Sequence, residues 1–258
     1  MADGGKQWFR LGKCHRKGGP AVEWPDGSFK WYRNGVLHRA DGPAVELVSG
    51  HREWRFKGEL HRQGGPAIEY EDGTKEWFLH GNHHRMEGPA IERADGSKEW
   101  WQHGKRHRRF LPAVIEANGT KVWFKDGLCH NDYGPAIREP DGTLSWCRNG
   151  LLHRDDGPAV LKPNGTKIWY QKGLVHRDDG PAIEWADGSK SWFRDDLCHR
   201  DGGPAVEYAD GSKAWYREGW PHRDDGPAYL RVDGHQEWWV EGKQLSEAEF
   251  AALKRDTK

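Results

Sequence analysis

The stretch PAVEWPDGSFKWYRNGVLHRADG, residues 20–42, decides the fold, because the chain writes it again and again. His15-Arg16, His38-Arg39, His61-Arg62, His84-Arg85 and His107-Arg108 are spaced by 23 residues. The same spacing continues through His130-Asn131, His153-Arg154, His176-Arg177, His199-Arg200 and His222-Arg223, with no insertion or deletion. A Pro-Ala pair keeps register ten times, from Pro20-Ala21 to Pro227-Ala228, and a Trp eleven times, from Trp8 to Trp238. Self-similarity at a fixed period marks a repeat array, in which each unit buries its apolar face against its neighbours.

Inside one unit, the runs 20–24 and 29–33 flank Asp26-Gly27, a dipeptide that favours a two-residue type I′ hairpin turn. Such a loop sets Val22 opposite Trp31 on one face and Ala21 opposite Tyr32 on the other. A second Gly after each Trp strand (Gly12, Gly35, Gly58 and onward) marks the other reversal and fails only at Asp196. The fixed Pro opens the next strand, where a residue that cannot donate to a ladder is tolerated. The expected fold is therefore all-β: an elongated, single-layer antiparallel sheet of about ten hairpin units, two main strands each, with no linker between residues 1 and 242. Asp3-Gly4 already stands in register as part of a half unit. Ser246 to Glu249 read as a capping box opening a short helix over 246–255, with Leu245, Phe250 and Leu253 as its apolar contacts and the open sheet end as its place.

The repeat also changes how composition reads. A mean hydropathy of −1.02 and a charged fraction of 31% are low in apolar content for one globule, yet apolar residues held in fixed slots suffice for an array. The Trp column is expected on the buried face against Val or Ile, leaving Trp24, Trp101, Trp185, Trp220 and Trp239 accessible. Forty basic and forty acidic residues cancel, which argues against duplex DNA or an anionic membrane as a dominant partner. No apolar leader and no window long enough to span a bilayer is visible, so a soluble, cytoplasmic protein is expected. Cys14, Cys129 and Cys198 share the slot before the repeat His, and Cys147 fills an aromatic slot. Equal slots lie whole repeats apart, so neither a disulfide nor a thiolate metal site is expected.

The string aromatic-x-x-Gly-x-x-His, followed by Gly and then Asp-Gly, resembles the MORN repeat, in particular the variant MORN class of bacterial and viral proteins. WYRNGVLHRADGPAVEWPDGSFK and WYQKGLVHRDDGPAIEWADGSKS carry the resemblance, which extends over essentially the whole chain. A MORN unit usually places Gly directly after the His, whereas Arg stands there in this chain. The resemblance implies a twisted antiparallel sheet of hairpins serving as a scaffold or interaction module, a dimer in some members and antitoxin-like in one bacterial branch.

Candidate chemistry is read against the repeat. The HRDDG string at His153, His176 and His222 looks like a kinase catalytic loop, but the remaining kinase signatures are missing and an active site does not recur with the backbone. No enzyme and no cofactor are expected. The column of His38-Arg39, His61-Arg62, His153-Arg154 and His176-Arg177 reads as structural: each His donates to a carbonyl and accepts from a turn amide, and each Arg reaches an Asp such as Asp41, Asp156 or Asp179. Two departures stand out. His80, His83, His84, His103 and His107 gather five imidazoles in two units, a candidate metal site. Lys105, Arg106, Arg108 and Arg109 form the most basic stretch, in which Phe110 and Leu111 replace the usual Asp-Gly, and such broken local rules point to a binding surface. A protein partner engaged along the sheet face or the His-Arg rim is the first reading, with a homodimer as one form of it. A nucleic acid held by residues 105–109 with Trp101 and Trp220 is the other.

Overall fold

A computed structural model describes residues 4–255; Asp3 of the N-terminal half unit lies outside them. Their contacts cluster into two units, with the boundary between Leu128 and Cys129, although the 23-residue period runs through it unchanged. Each unit is an antiparallel β-array, and the one helix among the described residues is C-terminal. In the first unit the ladder passes from Lys6–Gln7 to Val22–Glu23, Phe29–Lys30, Val45–Glu46, Arg52–Glu53 and on to Lys121–Val122. In the second it passes from Ile137–Arg138 and Leu144–Ser145 to Gln236–Val240.

Every repeat adds more than the two ladder strands expected. A second, two-stranded hairpin follows, such as Tyr32–Arg33 with Val36–Leu37, so the Trp strand leaves one ladder and enters another. Trp31 makes the transfer: its N–H donates to the Ala44 carbonyl at 2.8 Å and its carbonyl accepts from His38 at 3.0 Å. Successive short hairpins are also joined, Gly35 N–H to the Cys14 carbonyl at 2.8 Å.

The two turns are the reverse of the expectation. Gly27 N–H donates to Trp24 and Trp24 N–H to Ser28, at 3.1 and 3.0 Å, and only Gly27 of this loop has positive φ, 89°. Residues 25–27 thus form a three-residue loop, a type I turn closed by a left-handed Gly. The two-residue turn lies at Asn34-Gly35, where φ is 53° and 85°, the type I′ signature. The extra residue moves the register by one, pairing Val22 with Lys30 instead of Trp31. A one-residue slip sends side chains to the opposite face, which removes the Trp column from the Val side.

The core is consequently small-residue. Ala21, Ala44, Ala67, Ala90 and Ala113 in the first unit, with Ala136, Ala159, Ala182, Ala205 and Ala228 in the second, are all 0% exposed. Val22, Val45, Ile68, Ile91, Val114, Val160 and Ile183 form the buried row beside them. No column Trp is fully buried; each is half-buried, and all but Trp123 and Trp238 lie beneath the guanidinium of the Arg eight residues on. Arg16, Arg39, Arg62, Arg85, Arg108, Arg154, Arg177, Arg200 and Arg223 lie 3.7–4.1 Å from the ring centroids of Trp8, Trp31, Trp54, Trp77, Trp100, Trp146, Trp169, Trp192 and Trp215. A planar cation over an indole face keeps its charge at the surface while its stem and the ring exclude water.

A hydroxyl slot also ties repeat to repeat. Ser28 Oγ accepts the Val48 amide at 3.0 Å, and Thr74, Ser97, Thr166, Ser189 and Ser212 accept the equivalent amide 20 residues on. At the C-terminus Ser246 caps the helix Glu247–Arg255, exchanging bonds with Glu249 as a capping box does. Phe250 is buried and the helix packs on Gln236–Val240 and Lys243–Leu245, covering the last strands.

Candidate functional site

The His column is built into the backbone. The imidazole Nδ1 of His15, His38, His61, His84 and His107 accepts the amide 19 residues downstream, at 3.0–3.3 Å. His130, His153, His176, His199 and His222 do the same in the second unit. The predicted turn-amide bond is therefore present, but the partner of Nε2 is a carboxylate instead of a carbonyl, and only in the second unit. His130, His153, His176 and His199 reach the Asp two residues on at 2.7–3.2 Å. In the first unit that slot holds Lys17, Ala40, Gln63, Met86 and Arg109.

The Arg column is equally engaged. Each guanidinium over its Trp also donates to the Pro carbonyl four residues on, as Arg62 does to Pro66 at 3.0 Å. Arg39, Arg154 and Arg177 reach Asp41, Asp156 and Asp179 at 2.9–3.1 Å, as their loop spacing predicted. Asn131 keeps the carbonyl bond, Nδ2 to Pro135 at 2.9 Å. Asp196, which replaces the turn Gly, takes φ of 66°, and its carboxylate accepts the Val175 amide at 2.6 Å, offsetting that strain.

The five clustered imidazoles do not converge. His80 stacks on His61 and His103 on His84, with ring centroids 4.5 and 4.6 Å apart. His83 turns to Glu76, Nε2 to Oε2 at 2.8 Å, and His107 lies 3.2 Å from Asp126. Among the described residues no three His, Cys, Asp or Glu are placed to hold a metal ion. Equal slots in adjacent units put His80 and His103 on the neighbouring column His instead of on each other.

The basic stretch is largely used internally. Glu99, 5% exposed, accepts Arg106 Nε at 2.9 Å and Trp101 Nε1 at 3.0 Å, and Arg93 bonds its other oxygen. Burial pushes the Glu99 carboxyl up, but the two guanidiniums outweigh it and hold it below the usual range. Arg93, Glu99 and Arg106 line a 480 Å³ cleft with Phe124. Arg108 covers Trp100 and binds the Pro112 carbonyl. Lys105 and Arg109 remain exposed, with Arg109 4.8 Å from the ring of Phe110, itself 65% exposed. Of the off-column Trp, only Trp185 and Trp220 are exposed; Trp24, Trp101 and Trp239 are half-buried. Trp220 belongs to the second unit and the basic stretch to the first.

All four Cys are free. Comparing equal slots nevertheless missed a contact between unequal ones: the slot before the His meets the aromatic slot of the next repeat. Leu60 packs there against the cluster containing Phe78. Where Cys129 and Cys147 occupy the pair, hydrogen bonding between the thiols, with burial, pushes Cys129 up.

Two features of the short hairpins escaped the sequence reading. In the slot after the second turn Gly, the second unit presents Leu151, Leu174, Leu197 and Trp220, and Leu151, Leu197 and Trp220 pack toward the Gly of the next turn. They are 40–64% exposed, a ridge at the pitch of the repeat. The same slot in the first unit holds Lys13, Val36, Glu59, Asn82, Lys105 and, at its end, Leu128, which is 50% exposed. Overall neutrality also conceals a split, for residues 1–128 carry 22 basic and 17 acidic side chains and residues 129–258 carry 18 and 23. Hollows of 660, 780 and 540 Å³ recur along the second unit, between successive His-Arg loops and over Trp146, Trp169 and Trp192. No helix among the described residues is long and apolar enough to cross a membrane. No protein-family model matches the chain, and no curated protein matches its sequence.

Proposed function

We propose that the chain is a non-enzymatic repeat scaffold, similar to variant MORN proteins, that binds a protein partner across the short-hairpin face of residues 129–258. The observation that carries this reading is the exposed ridge of Leu151, Leu174, Leu197 and Trp220. Aligned apolar side chains rimmed by charge mark an interaction surface, whereas scattered single ones do not. The paired carboxylates and guanidiniums beside the ridge, such as Arg148 with Asp155 at 2.5 Å and Arg194 with Asp201 at 2.8 Å, supply a polar rim. The inward use of Arg106 and Arg108 favours a protein over a nucleic acid, since those cations are already spent on Glu99 and Trp100. Free thiols suit a reducing, cytoplasmic setting. An antitoxin- or immunity-like inhibitor, whose long face occludes its target, is the narrower form of this function.

The test compares the wild-type chain with the triple variant Leu151→Ser, Leu174→Ser, Leu197→Ser. Capture from the native host identifies proteins lost by the variant, and their binding is then measured with purified components. About 30-fold weaker binding is expected if each Leu contributes roughly 0.7 kcal/mol. Equal binding by both chains excludes the ridge as the interface.

A further inference from the structure

The slot before each repeat His meets the aromatic slot 18 residues on. Leu60 packs against the cluster that holds Phe78, the His83 ring lies 5.2 Å from that of Trp101, and the Arg106 guanidinium lies 5.4 Å from the ring of Phe124. In the next such pair both partners are cysteines, Cys129 and Cys147. We infer that this pair is a modification site, which a hydroperoxide closes into a reversible disulfide tying Cys129 to the following short hairpin. The inference stands apart from the partner-binding reading, since it uses neither the ridge nor its polar rim.

The backbone holds both cysteines in place. The Cys129 carbonyl accepts the Gly150 amide at 2.9 Å, and Cys147 pairs with Leu152 across the hairpin that Gly150 turns. Two sulfurs thus share a space that a Leu and an aromatic ring fill elsewhere, and they meet as a hydrogen-bonded pair in which the Cys129 S–H donates. Cys14 and Cys198 occupy the same slot as Cys129 but have Tyr32 and Tyr216 opposite, and their thiols donate to the Ala21 and Ala205 carbonyls at 3.7 and 3.9 Å. Hydrogen bonding to Cys147, followed by burial, pushes Cys129 up, and the same bond holds Cys147 below the ordinary thiol range against its burial. The thiolate therefore forms first at Cys147. Although only 8% exposed, Cys147 lines the 660 Å³ hollow beside His130 and Asn131, a route for a small peroxide. Its sulfur attacks the peroxide O–O bond and becomes a sulfenic acid as water or an alcohol leaves. The Cys129 sulfur then attacks that sulfur: the S–S bond forms, the S–O bond breaks, and the hydroxide departs with the Cys129 proton as water. The two sulfurs lose two electrons and the peroxide gains them. A free thiol reverses the step by exchange.

Thiol mapping tests this directly. The reduced chain is treated with an equivalent of hydrogen peroxide, quenched, unfolded and alkylated for mass spectrometry. Cys14 and Cys198 are expected to be alkylated, and the peptides of Cys129 and Cys147 to be found linked. Because the bridge closes an 18-residue loop between sulfurs already in contact, the melting temperature is expected to rise by roughly 5 °C or more and to return with dithiothreitol. Cys129→Leu and Cys147→Tyr introduce residues that these slots already hold at Leu60 and Tyr170, so both variants keep the fold. Each is expected to melt at one temperature with or without peroxide. Cysteines that stay reduced, a Cys147 oxidised without joining Cys129, or bridges to Cys14, Cys198 or another chain overturn the site. So does a bridge that lowers the melting temperature, or a peroxide-dependent rise that persists in either variant.

Discussion

Lowering the pH from about 7.5 to about 5.5 is expected to loosen the turns that His38 and His84 hold in residues 1–128, while the turn that His176 holds in residues 129–258 stays protected. Each column His accepts a backbone amide at Nδ1, so protonation of that nitrogen removes the acceptor of a turn N–H. At His38 and His84 no carboxylate is among the groups that shift the imidazole. Burial, with Arg33 and Lys57 nearby, holds His38 below the ordinary imidazole range, and burial with His103 does the same for His84. A lowered folded-state pKa means that the unfolded chain binds protons first. Stability is then intact above about pH 6.5 and falls as pH drops through the folded values. An amide left unpaired costs roughly 1 kcal/mol, so losing the contacts of His38 and His84 together costs on the order of 2 kcal/mol.

His176, in the second unit, responds in the other direction. Burial lowers His176, but Asp178 and Asp195 outweigh it and raise it above the ordinary value. A raised group contributes stability below about pH 6.5 that is lost as pH rises through the folded value, so acid strengthens this contact. Hydrogen exchange followed by mass spectrometry, corrected for intrinsic rates, separates the two units peptide by peptide. Equal protection of both at about pH 5.5 would show that the carboxylates beside the second column do not matter.

The second large effect is steric. Ala90→Leu is expected to cost about 1–3 kcal/mol or more, read as a fall in the urea midpoint at unchanged slope. Ala90 is 0% exposed, and both its backbone groups are held, donating to Glu99 and accepting from Trp77, at 2.7 and 2.8 Å. The ladder therefore cannot move aside for three added carbons. Met86→Leu, at a side chain 77% exposed, is the matching control and should leave the midpoint within about 0.5 kcal/mol.

Much of the fold is legible because the repeat forbids most alternatives: a residue present in every copy must serve the backbone. Gly, Pro-Ala, His and Arg all find the structural roles that their recurrence implies. The register was harder to read, since Asp26-Gly27 and Asn34-Gly35 are both turn dipeptides. Pro25 suits the first central position of a type I turn, but the same three-residue loop forms at Glu71-Asp72-Gly73, so no single residue type in that slot reports the loop length. Trp31 misleads for a related reason. Its size argues for the core, while the guanidinium that covers it sits eight positions away, at a distance that no local pattern reports. The site is less legible than the fold, because function follows what differs between copies. Arg106 reads as an exposed cation until Glu99 is seen beneath it, and Leu151 reads as ordinary variation until Leu174, Leu197 and Trp220 align with it.

The central claim is that recurrent residues hold the fold while the variable hairpin face binds. One paired experiment tests it most directly: melting and partner binding of His153→Ala beside those of Leu151→Ser, Leu174→Ser, Leu197→Ser. His153 holds the Lys172 amide and Asp155, so its variant should melt lower yet bind normally when folded. The Leu variant should melt near the wild-type temperature and bind about 30-fold more weakly. A His153 variant that loses binding with an unchanged melting curve would contradict the account.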